Sequence, residues 1–349
     1  MALAQTQPSV LEEPEPPVAV TGLGRRSPVL AFLGRRVAAG VLTLLAVSAL
    51  IFTATNILPG NVAELVLGRN ATPDRVDALN RQLGFDAPLY QRYWEWLTGI
   101  LHGDFGDSAV AVALGHPNTS VASTLASPLT NSLTLAVITA VLLVPLTLLL
   151  GMIAGIYAGK ALDHVISLPS LVLGGLPEFV TGTLLVFVFF SQLHVLPPVS
   201  TLSDQAAINA PKALVLPVLT LLLVALGAGI RQVRAGMIEV LETDYVFFAQ
   251  LNGVRRSRVI LRYGLRNALA PAVQMLAQNL QYLLGGIIVV EAIFAFPGIG
   301  LYVVNAVLER DTVKVEAAAI ILAAVYTAIN ILSDLLVVYL VPRLRTAHT

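Results

Sequence analysis

The sequence predicts an all-α, polytopic membrane protein with six transmembrane helices and both termini in the cytoplasm. Three observations carry that prediction. Of 349 residues, 56% are hydrophobic and only 12% charged, where an ordinary soluble domain carries about 25% charged residues. The mean hydropathy is +0.80. The apolar residues also fall into six long stretches, separated by polar segments that hold most of the charge.

Each element follows from length and charge. Residues 1–28 include Glu12, Glu13, Pro14, Glu15, Pro16 and Pro17, a run that cannot bury a core, and read as a disordered cytoplasmic tail. The tail is acidic and no small-residue cleavage site follows the first apolar run, so a secretory signal is not expected. Residues 29–349 then form one transmembrane domain. A hydrocarbon core of ~30 Å needs ~20 apolar residues in a helix, and in lipid the helix alone satisfies its own backbone. The expected spans are 38–58, 129–158, 165–193 (with one acid, Glu178), 213–236, 272–296 (with Glu291) and 317–341 (with Asp334). Between the first two, residues 59–128 form a long external segment expected to fold as short helices on the outer face. Tyr90, Tyr93, Trp94 and Trp96 there are expected to anchor it at the interface. Gly151, Gly155 and Gly159 recur every four residues and predict a small-residue face for close helix packing.

Orientation follows from the basic residues. A cytoplasmic N-terminus puts Arg25, Arg26, Arg35, Arg36, Lys160, Arg231, Arg234, Arg255, Arg256, Arg258, Arg262, Arg266, Arg343 and Arg345 inside. Only Arg69, Arg75, Arg81, Arg92, Lys212, Arg310 and Lys314 are left outside, and four of these lie in the long external segment. The formal net charge is zero, which predicts no nucleic-acid partner. Cysteine is absent, which excludes disulfides, thiolate metal sites and cysteine nucleophiles. The histidines, His102, His116, His164, His194 and His348, show no metal-ligand spacing.

The cytoplasmic segment 239–271 is too long for a simple turn. Thr243 is placed to cap a short helix, and Asp244 sets an acid at its positive end. Gly253 suits the left-handed residue that stops it. Residues 244–252 therefore predict a helix too short to span, with a face of Tyr245, Phe248, Ala249 and Asn252, and Ser257 opens a second helix toward Pro271. Helix signals alone leave two readings. It is either a knob that transmits a push from a soluble partner, or an amphipathic helix whose arginines rest on anionic lipid.

The same stretch resembles the conserved cytoplasmic loop of ABC-importer permeases, in the form found in dipeptide and oligopeptide permeases of the B type. The matching residues are Asp244, Tyr245, Val246, Ala249, Gly253, Arg262, Arg266, Asn267, Ala268, Leu269 and Pro271, while Phe247, Phe248 and Gln250 depart from the usual pattern. Further matches run through most of the chain: Leu58-Pro59-Gly60, the stretch 83–90, the stretch 103–108, Val289 to Phe294, Phe296 to Gly300, and the polar Asn330 and Asp334. The resemblance implies a permease subunit in a bacterial inner membrane, forming half of a translocation path. It implies a second homologous permease chain, ATP-binding subunits and an extracytoplasmic solute-binding protein as partners. It assigns coupling to Glu242, Asp244, Tyr245, Phe248, Ala249, Asn252 and Gly253. It implies no catalytic residue and no cofactor on this chain, with ATP and Mg held by the partner ATPase. Dipeptides or oligopeptides are the expected cargo; nickel complexes, haem and glutathione are carried by related permeases.

An acid inside the bilayer costs ~2.5–3.5 kcal/mol on insertion scales and so faces a partner or a water-filled path. Glu178, near the middle of the third stretch, is expected either to line the pore and meet a cationic peptide terminus or a cationic substrate, or else to pair with a polar group on the other permease chain or be protonated in place. Glu291, Asn330 and Asp334 are expected as helix–helix hydrogen-bonding groups, and Arg231 and Arg234 as a gate or as lipid-phosphate contacts. Two other classes would leave different marks. A secondary carrier would show an inverted pair of broken hydrophobic segments, and an intramembrane enzyme a Gly-x-Ser-x-Gly or His-Glu-x-x-His motif; the sequence shows neither. The segment Gly155 to Lys160 has one residue too few between its glycines for a phosphate loop.

Overall fold

A computed structural model describes residues 28–57, 62–84, 86–116, 118–200, 202, 207–255, 258–260, 278–279 and 282–340. Among these residues the chain is helical, with one isolated antiparallel bridge between Asp107 and Ser120. The N-terminal tail, Leu58-Pro59-Gly60, Ser257 and the stretch from Arg262 to Pro271 lie outside the described residues.

The first helix, α1, covers Pro28–Ile57. The external segment then folds as α2 (Val62–Leu67), a 3-10 turn, α3 (Pro73–Gln82), α4 (Leu89–Leu101) and α5 (Ala109–Ala113). Helix α6 (Val121–Ile156) starts earlier than its apolar run and continues through Pro128 and Pro145. Helices α7 (Ala161–Leu173) and α8 (Glu178–Val186) follow, the latter continuing as a π-turn over Phe187–Gln192. Then come α9 (Pro211–Leu241), α10 (Asp244–Leu251), α11 (Tyr282–Ile293), α12 (Ile299–Glu309) and α13 (Thr312–Leu340).

Among the described residues, α1, α6, α9 and α13 are each long and apolar enough to cross a bilayer, and α7 with α8 makes a fifth, broken span. The expectation of one continuous helix over 165–193 is corrected here. The axes of α7 and α8 meet at 104°, because Gly174 and Gly175 are poor helix formers and Pro177 lacks the N–H that would continue the ladder. The one break among the described residues is not the inverted pair a carrier would show.

Helix α9 is the hub. Buried residues make up 72% of its most apolar window, against 11% for α1 and 22% each for α6 and α13. Its Leu214, Leu216, Leu221, Leu222 and Ile230 build the main core with Leu135 and Leu143 of α6 and with Leu283, Ile287 and Val290 of α11. Helices α1, α6 and α13 keep apolar side chains such as Leu42, Leu50, Val141 and Leu332 exposed, which lipid accepts at no cost.

Small residues set the spacing around α9. A Cβ on Gly151 would lie 2.6 Å from Val233, and one on Gly155 2.6 Å from Met237. Gly159, expected on the same face, is instead past the helix end with φ +74°, a conformation that favours glycine. Glycines on both helices bring α7 against α9: a Cβ on Gly227 would lie 2.6 Å from the Gly174 Cα.

On the outer side, α4 is tied to α1 and α13. Arg92 donates to Asn56 (2.6 Å), Asn56 donates to Glu316 (3.0 Å), and Thr55 also donates to Glu316. Tyr93 and Trp96 pack on Phe52, whereas Tyr90 and Trp94 remain exposed. On the cytoplasmic side Arg36 of α1 pairs with Asp334 of α13 at 2.8 Å, so Asp334 is the interhelical group expected of it.

Candidate coupling and translocation site

Helix α9 runs past the apolar region and ends at Glu242, its exposed C-cap. Two residues later α10 begins. Thr243 occupies the N-cap position with extended backbone, but its hydroxyl donates back to the Val240 carbonyl (2.6 Å) instead of accepting from the new helix. Thr243 therefore marks the turn without the side-chain cap that the sequence suggested. Asp244 stands in the first turn, where a negative charge meets the helix's positive end.

The far end closes as a Schellman motif. Val254 N–H bonds the Ala249 carbonyl (3.2 Å) and Gly253 N–H bonds the Gln250 carbonyl (3.0 Å). Gly253 sits at φ +74°, as its role as helix stop predicts. Asn252 is the C-cap, and its side chain donates to the Phe248 carbonyl (2.8 Å).

One side chain anchors this helix. Val246 is fully buried, and α10 packs against the end of α9. The rest of the surface faces outward: Tyr245 is 43% exposed, Phe247 58%, Phe248 60% and Leu251 66%. The Phe247 and Phe248 rings meet edge to face at 6.3 Å. Four large apolar side chains on a helix of eight residues make a patch of the kind that marks an interaction site. Of the face read from sequence, Tyr245, Phe248 and Asn252 are exposed and Ala249 is half-buried; Phe247 and Leu251 join it.

Glu178 is not mid-helix. It is the first residue of α8, after the break, with Pro177 at the N-cap. Its carboxylate thus lies at a helix N-terminus, which favours negative charge. Tyr282 of α11 stands near Glu178, and a Cβ on Gly286, one turn on, would come within 3.1 Å of Oε1. The acid is half-buried and faces α11 of its own chain.

Glu291 is fully buried between helices. It accepts from Ser132 of α6 (2.5 Å) and from the N–H groups of Gly300 (2.7 Å) and Leu301 (3.3 Å). Ser132 in turn accepts from Ile299 N–H at 2.8 Å. The carboxylate thus caps α12 and ties it to α6 and α11. Arg234, read as a gate or a lipid contact, binds Asp163 in two hydrogen bonds of 2.7 Å. Sequence reasoning missed Asp163, Asp311 and Glu316. Each is an acid just outside or at the end of an apolar run, and that position was the available signal.

Fold and site define the class: an all-helical polytopic membrane protein with a short protruding helix after its hub helix. The chain belongs to the family described as binding-protein-dependent transport system inner membrane component, whose model matches residues 147–346. The model of the corresponding N-terminal region matches residues 29–136. The chain is 33% identical over 318 residues to the glutathione transport system permease protein GsiC of Escherichia coli K12, covering 91% of this chain and 99% of that one. It is 32% identical over 303 residues to GsiC of Pectobacterium atrosepticum, covering 87% and 95%. It is 29% identical over 326 residues to the probable D,D-dipeptide transport system permease protein DdpB of E. coli K12, covering 87% and 94%. It is thus a permease of the dipeptide/oligopeptide type of binding-protein-dependent ABC importer, and it works in the membrane with ATP-binding and solute-binding proteins.

Proposed function

We propose that this chain forms half of a translocation path for short peptides and pairs with a second, homologous permease chain. ATP and Mg are held on separate subunits that dock on α10; this chain binds neither. The observation that carries the reading is the exposed Tyr245, Phe247, Phe248 and Leu251 surface on a helix held by the buried Val246. A short helix, capped at its C-terminus and packed against the end of the hub helix one turn away, is built to pass a rigid-body push to the membrane domain.

Glu178 supports the peptide assignment. Its carboxylate stands at the break in the third span beside Tyr282, where it would meet the cationic amino terminus of a peptide. A D,D-dipeptide and glutathione, named for the relatives, are both short peptides with a free amino group. Glutathione is the favoured second cargo, since two of the relatives named above carry it in their names at 32% and 33% identity.

Purification of the tagged chain from its native membrane tests the reading. The expected result is recovery of a second permease and ATP-binding subunits, with ATP hydrolysis that rises when loaded binding protein is added. Transport by the isolated chain, driven by an ion gradient, would instead make it a secondary carrier.

A further inference from the structure

The start of α7 and the C-terminal part of α9 are joined by an ion pair with a buried acid, which the coupling and translocation residues do not include. Asp163, in the first turn of α7, has a side chain only 2% exposed. Its two oxygens accept from Arg234 Nε and Nη2, each at 2.7 Å, which is the bidentate geometry of a strong charge-assisted pair. The same carboxylate accepts from Gly159 N–H (2.8 Å) and from the Ser167 hydroxyl (2.7 Å). Four donors from the α6–α7 turn, from α7 and from α9 therefore converge on one group. A second contact holds the two helices together nearer the break, where Gly174 and Gly227 leave no room for a Cβ.

Position gives the pair its consequence. Arg234 stands seven residues before the end of α9, about 10 Å from the start of the protruding helix at 1.5 Å per residue. Asp163 stands ten residues before the end of α7, about 15 Å from the break that precedes Glu178. A displacement of α10 enters α9 directly. The ion pair and the glycine contact pass it to α7, whose far end positions Glu178.

We infer that Asp163 is a positioning residue for transport: its pair with Arg234 makes α7 move as one body with α9 and α10, so that nucleotide-driven motion reaches the Glu178 break. This rests on the reading that α10 receives the ATPase's push. A merely structural role would affect stability and leave the link between nucleotide state and pore shape untouched.

The test uses the complete transporter in lipid nanodiscs, with spin labels on introduced cysteines; this chain has none of its own. In the wild-type background, labels at Lys160→Cys and Glu239→Cys report the α7–α9 body. Their separation is expected to change by no more than ~2 Å between nucleotide-free and ATP-bound states, the scale of ordinary helix shifts; a larger change overturns the inference. Labels at Phe179→Cys and Leu50→Cys report the break, and their separation is expected to shift on ATP binding. In Asp163→Asn that shift is expected to shrink at least about twofold with the ATP-binding subunits still bound; an undiminished shift overturns the inference. Arg234 is 31% exposed and reaches water, so Asp163→Asn leaves no buried unpaired cation. Should the variant fail to assemble, the wild-type Lys160–Glu239 measurement decides alone. A Phe248→Asp arm separates the two readings: if it keeps its ATP-driven shift, the assignment of α10 fails, while the α7–α9 body is still judged by the first label pair.

Discussion

Ser108 and Asp311 lie 203 positions apart in sequence and share a hydrogen bond of 2.5 Å. Asp311 is fully buried. It also accepts from the N–H groups of Ala109 (3.3 Å), Val110 (3.4 Å) and Lys314 (3.3 Å), so one carboxylate caps α5 and the start of α13 together. The external segment is thereby pinned to the last span. Replacing Asp311 with Ala strands several donors in a dry site and is expected to cost about 3 kcal/mol. Limited proteolysis on intact spheroplasts checks it: cleavage within 107–120 should appear in the variant and not in the parent.

Glu291 does the same work deeper in the protein, with Ser132, Gly300 and Leu301 as donors. Gln at this position offers one carbonyl oxygen where two carboxylate oxygens are used. Glu291→Gln is expected to destabilise by about 1–3 kcal/mol, read as a lower midpoint in thermal unfolding of the purified complex.

The helix crossings at α9 depend on absent side chains. A Cβ on Gly227 would lie 2.6 Å from the Gly174 Cα and 2.7 Å from the Ser170 carbonyl oxygen, both backbone atoms that cannot swing aside. Gly227→Ala is expected to cost about 1–3 kcal/mol. Gly34→Ala, where no atom lies within 4 Å, is expected to change stability by less than about 0.5 kcal/mol. The same unfolding measurement compares them.

Much of this was legible in the sequence. The uncharged run from Ala213 to Ile230 announced α9, and Gly253 announced the end of α10. The break before Glu178 was written as Gly174-Gly175-Leu176-Pro177 but was masked by the apolar residues on both sides, since hydropathy cannot tell a straight span from a bent one. For Asp163 the one local signal was its place at the edge of an apolar run; its partner is 71 residues away, so the pairing itself could not be read. Thr243 had the right identity for a side-chain cap, but its hydroxyl found the Val240 carbonyl nearer.

Glu178 gives a prediction about cargo. If its carboxylate meets a peptide's amino terminus, Glu178→Gln should lower the preference for a free over an acetylated terminus by about tenfold, or 1.4 kcal/mol. Competition uptake assays with the same binding protein measure it. An unchanged preference would remove Glu178 from the path.

The central claim is that a neighbouring ATPase grips α10. Phe248 is the most direct point at which to break that grip, being 60% exposed on a helix whose anchor, Val246, faces the other way. Phe248→Asp should leave membrane insertion intact and weaken ATPase docking by roughly thirtyfold or more, the loss expected at an interface hot spot. Quantitative pull-down of ATP-binding subunits with the inserted chain measures it: the account predicts their loss, together with loss of ATP-driven uptake, and full recovery of both with the variant would contradict it.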